Sequence, residues 1–94
     1  MKITEPAIDL GIILAVASSF KNRPIPKELV AIGEVGLTGE VRAVNMIEKR
    51  LKEAEKLGFK KCIIPENNKK LLKAELKLDI IGVKNVIDAL KIIN

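Results

Sequence analysis

Few side chains in this 94-residue chain could do covalent chemistry. Ser18 and Ser19 stand close to Lys21, and a serine beside an amine that can take its proton is one way to make a nucleophile. Serines near a helix end, however, ordinarily satisfy local carbonyls, and that is the expectation here. Cys62, the single cysteine, has no histidine anywhere in the chain to activate it, so it is expected to be a small core residue. With no histidine and one cysteine, a zinc site has almost no ligands to draw on, and an internal disulfide is excluded. A reducing, cytoplasmic compartment is expected.

Three glycines fall within seven residues at Gly33, Gly36 and Gly39, which raises a phosphate cradle as a candidate. Such a loop needs a following Lys-Ser or Lys-Thr that opens a helix, and here Glu40 and Val41 continue a strand. The spacing instead predicts a hairpin in which Gly36 and Gly39 take positive φ and Gly33 permits close packing.

Basic residues are the remaining candidates. The net charge is +5, mostly from lysine, and favours anionic partners without naming one. Lys49, Arg50 and Lys52 share a helix, Lys60 and Lys61 open a strand, and Lys69, Lys70 and Lys73 follow on another helix. The spacing allows a continuous patch, one that could hold only a nucleic-acid backbone because it lacks aromatics on which bases could stack, since only Phe20 and Phe59 are aromatic. A solvated lysine face is the alternative reading.

The elements that position these residues follow from pattern. Met1 to Ile3 reads as a strand end, and Thr4 as the cap of a helix with Glu5, Pro6 and Asp9 in its first turn. That helix is apolar on nearly every side, which predicts cover on more than one face. Its apolar run, 10–20, is too short to span a membrane and follows acids rather than bases. Residues 29–35 and 40–44 form the hairpin. Asn45 with Glu48 has capping-box spacing for a helix to Leu57, with Ile47, Leu51, Ala54 and Leu57 inward and Gly58 as a left-handed stop. A strand at 60–64 stops at Pro65. A lysine-rich helix over about 68–75, a strand at 78–83 and a last helix capped by Asn85 complete the chain. Alternating strands and helices imply right-handed crossovers with parallel pairing, an α/β (α+β) fold in a single domain.

The segment 33–65, with Pro6, Pro24, Gly33-Glu34, Gly39 and Leu51 as anchors, resembles the proteolytic domain of the Lon family, in the form carried C-terminally by bacterial RadA (Sms) DNA repair proteins. The similarity runs ungapped from Ile3 to about Asn67, and the tail to Asn94 fits more loosely. It implies a Lon-like, ribosomal S5 domain 2-like fold: a mixed sheet with a β-hairpin and packed helices. In that alignment Ala7 stands at the nucleophilic serine and Arg50 at the basic lysine. Alanine has no hydroxyl and a guanidinium does not deprotonate, so both roles are lost. Asp9 and Asn45-Met46 replace glycine-rich stretches beside the cleft. Arg50 is expected to pair with Glu34 or Glu48.

The resemblance further implies a non-catalytic scaffold and DNA-handling domain of a recombination ATPase that drives branch migration as a homo-oligomer, a hexameric ring. Its partners would be single-stranded or branched DNA and the recombinase RecA, with no membrane. ATP, magnesium and zinc would belong to a RecA-like ATPase and a zinc finger upstream of Met1, with no cofactor in this domain. A Lon-like serine peptidase with an altered site is the rival expectation. A stand-alone S5-like RNA-binding domain is a third.

Overall fold

The computed structural model describes residues 5–93, so the strand end expected at Met1 to Ile3 and the Thr4 cap lie outside the described residues. The chain enters through a 3₁₀ turn, Pro6–Ile8, and continues into helix α1, Asp9–Phe20. Strand β1, Leu29–Ala31, is followed by the short pair β2, Glu34–Val35, and β3, Val41–Arg42. Helix α2, Ile47–Lys56, strand β4, Lys61–Pro65, and helix α3, Glu66–Leu71, come next. Strand β5, Asp79–Val83, and helix α4, Val86–Ile93, close the order.

β1, β4 and β5 form one parallel sheet in the order β1-β4-β5, with Val30 opposite Cys62 and Cys62 opposite Ile80. Side chains alternate across it, and each face buries its own cluster. Ile63 and Val83 join Leu10, Leu14 and Ala89 under α1 and α4. Cys62 and Ile64 join Leu51, Ala54 and Leu78 under α2. β4, covered on both faces, reads as a continuous apolar run for that reason. The architecture is a compact α/β domain with helices on both sides of a parallel sheet.

The expected single strand over 29–35 is two strands. Ile32 donates its N–H to Ile63 O of β4, whereas Gly33 donates to Ala7 O at 2.8 Å and leaves the sheet. A Cβ at Gly33 would lie 3.0 Å from Val41 Cγ1 and 3.4 Å from Leu10 Cδ2, so the residue is there for close approach. The antiparallel hairpin is correspondingly short, pairing Glu34 with Arg42 and Val35 with Val41. In its turn Gly39 has φ +85°, but Gly36 does not take the expected positive φ. A Cβ at Gly36 would meet the Glu40 carboxylate, the far end of a flexible side chain, which would have to swing aside.

Three further expectations are corrected. Asn45 does not cap α2: Met46 stands at the N-cap in left-handed geometry, φ 56°, with no side-chain cap. The Asn45 amide oxygen accepts from Arg50 instead, and Glu48 turns to the Lys73 N–H. The lysine-rich helix ends at Leu71 rather than about 75, because Leu72 is extended at ψ 127°. Glu48 and Glu55 of α2 take the backbone N–H groups of Lys73 and Lys77, which ties this segment to α2. Finally, α1 is not covered all round, since Ile12, Val16 and Phe20 are 53%, 51% and 88% exposed. Gly58 with φ +95° and Asn85, whose Oδ1 accepts from Asp88 N–H at 2.9 Å, do end and begin helices as expected, but Leu57, expected on the inward stripe, falls past the last turn of α2 and is 68% exposed.

Buried Asn68 is the side chain that ties α3 to the chain before α2. Its Nδ2 donates to Val44 O at 3.0 Å and its Oδ1 accepts from Val44 N–H at 2.8 Å. Asn68→Ala leaves both Val44 groups without these partners and is expected to lower stability by about 1–3 kcal/mol in urea unfolding. The exposed Glu40 carboxylate is held down to about 2, chiefly by the Thr38 hydroxyl and then by Arg42. A depressed acid contributes above its unfolded value and is lost as pH falls through the folded one. The Thr38 amide resonance is therefore expected to hold steady through pH 4 and to shift only as the pH approaches 2, followed by NMR.

Candidate functional site

Ala7 and Arg50, 43 positions apart in the chain, line one cleft of about 310 Å³. Its remaining walls are Glu5 and Pro6, Glu34 of β2 and residues 43–45. The site sits where it does because the 3₁₀ turn docks on the β1–β2 junction. Gly33 donates to Ala7 O, and Leu10 donates to Gly33 O at 3.0 Å. The Asp9 carboxylate adds an acceptor for Val35 N–H at 3.2 Å. Asn68 fixes the opposite wall through Val44.

The Ala7 methyl is 4% exposed, at the floor. Arg50 reaches across with Nη2 donating to Glu5 Oε1 at 2.9 Å and to Asn45 Oδ1 at 3.0 Å, and with Nε donating to Asn45 O at 2.9 Å. The expected partners Glu34 and Glu48 are both engaged elsewhere, Glu34 with Arg42 at 3.7 Å and Glu48 with the Lys73 N–H. Glu5 was not singled out as a partner because the ion pair joins residues 45 apart in the chain. Asn68 was missed as well. The signal was a pair of asparagines inside an otherwise lysine-rich stretch, one of which turns inward.

The other candidates separate. Ser18 Oγ donates to Arg23 O, the local-carbonyl role expected of it, while Ser19 is exposed. Cys62 is fully buried in β4, and desolvation pushes its thiol up to about 12. The lysines fall into two groups. Lys49 and Lys52 lie exposed on α2, near exposed Lys69 and Lys70 of α3 and Lys73 just beyond it. Lys60 and Lys61 sit at the opposite end of β4, a strand length of about 15 Å away. Glu48 and Glu55 lie along the seam between α2 and the 72–77 segment. Arg50 points away from both groups into its contacts with Glu5 and Asn45. Among the described residues no cluster of three or more His, Cys, Asp or Glu side chains is placed to hold a metal ion. No described helix is long and apolar enough to cross a membrane.

A small α/β domain carrying a polar cleft at the mouth of its first helix matches a known family. Residues 1–68 match the family model described as subunit ChlI of Mg-chelatase, and the chain belongs to that family. It is also similar, along nearly its whole length, to proteins named DNA repair protein RadA. Identity is 49% over 92 residues to the RadA of Halalkalibacterium halodurans, covering 98% of this chain and 20% of that protein. It is 52% over 91 residues in Bacillus subtilis, covering 97% and 20%. It is 44% over 94 residues in Haemophilus influenzae, covering 100% and 20%. The chain thus spans about one fifth of the length of these relatives. The resemblance to RadA read from the residues holds, and it extends through the tail beyond Asn67 that the motifs fitted more loosely.

Cys62 gives a direct check on the buried sheet. In the folded chain at pH 8 the thiol is expected to react with an aromatic disulfide reagent at least 100-fold more slowly than after urea unfolding, because burial and the raised pKa both withhold the thiolate.

Proposed function

We propose that this chain is a non-catalytic, Lon-like scaffold domain of a RadA-like DNA repair and recombination ATPase, contributing self-association and contact with the DNA backbone. The observation that carries the reading is the state of the cleft, where a methyl group stands at Ala7 and Arg50 is bound by Glu5 and Asn45. A hydroxyl nucleophile and a neutral amine are what acyl transfer would require there. The fold is consistent with this, since the helix after Pro6 and the helix bearing Arg50 meet at one site as a Lon-like dyad requires. ATP hydrolysis, branch migration and the hexameric ring belong, on this reading, to the longer protein. So do its magnesium and zinc and its partnership with RecA.

The DNA contact falls to the group formed by Lys49, Lys52, Lys69, Lys70 and Lys73, which lies clear of the cleft and is solvent-facing. Lys60 and Lys61, beyond the acidic seam, would meet a different stretch of backbone. In an anisotropy assay with single-stranded DNA, the triple change Lys69→Glu, Lys70→Glu, Lys73→Glu is expected to weaken binding at least tenfold. The salt slope should flatten by about 2, as three fewer phosphate contacts to a single strand predict. Unchanged affinity would remove this face from the function. Labelling by a serine-directed probe, or cleavage of an unstructured casein, would favour the peptidase reading. RNA bound more tightly than DNA at matched salt would favour the S5-like one.

A further inference from the structure

We draw no further inference here: the strongest candidate, the apolar groove between α1 and β1 lined by Ile8, Ile12, Ala15, Val30 and Ile32, is an unpartnered face, and nothing in the structure shows what covers it.

Discussion

The reciprocal pair of backbone hydrogen bonds between Ala7, Gly33 and Leu10 is the contact on which the rest of the molecule depends. Through it the first turn is pinned to the point where the chain leaves the parallel sheet and enters the hairpin. Val41 and Leu10 close on Gly33 from two sides, so the junction has no room for a side chain. Three features are hung from this junction: Ala7 at the floor of the cleft, Leu10 and Leu14 leading α1 into the core, and the hairpin projecting beyond the sheet. A substitution at Gly33 would disturb all three together.

The two apolar clusters divide the labour of the fold. The one under α1 and α4 seats the first helix and the last, and the one under α2 carries the lysine-bearing side. β4 belongs to both, and its alternation of Cys62, Ile63 and Ile64 couples two surfaces of very different character.

Much of this was legible in the residues themselves. The stripe of Ile47, Leu51 and Ala54, the stop at Gly58, the cap at Asn85 and the apolar run of β4 are local signals, and local signals survive folding when no distant group competes. The misreadings share one cause. Asn45 and Glu48 have the spacing of a capping box, but Arg50 claims the first and the Lys73 amide the second. The helix after Pro65 stops early, where Leu72 turns extended and carboxylates from α2 take the N–H groups of Lys73 and Lys77. Residues 29–35 have the composition of one strand, yet Gly33 is drawn off by Ala7. In each case a hydrogen bond outside the expected pattern outbids a local preference; for Glu48, Glu55 and Gly33 the partner lies more than twenty residues away, where no spacing rule reports it, whereas Arg50 takes Asn45 from only five residues on. The cleft was legible as two positions, Ala7 and Arg50; its actual ion pair with Glu5 was not.

That ion pair has a mechanical consequence. Arg50 is held by three hydrogen bonds and braces the N-terminal turn against α2, a use that the single ammonium of a lysine could not fulfil with the same fork. The two walls of the cleft are thereby strapped together by one side chain, so the entry of the chain and α2 shift as a unit rather than separately.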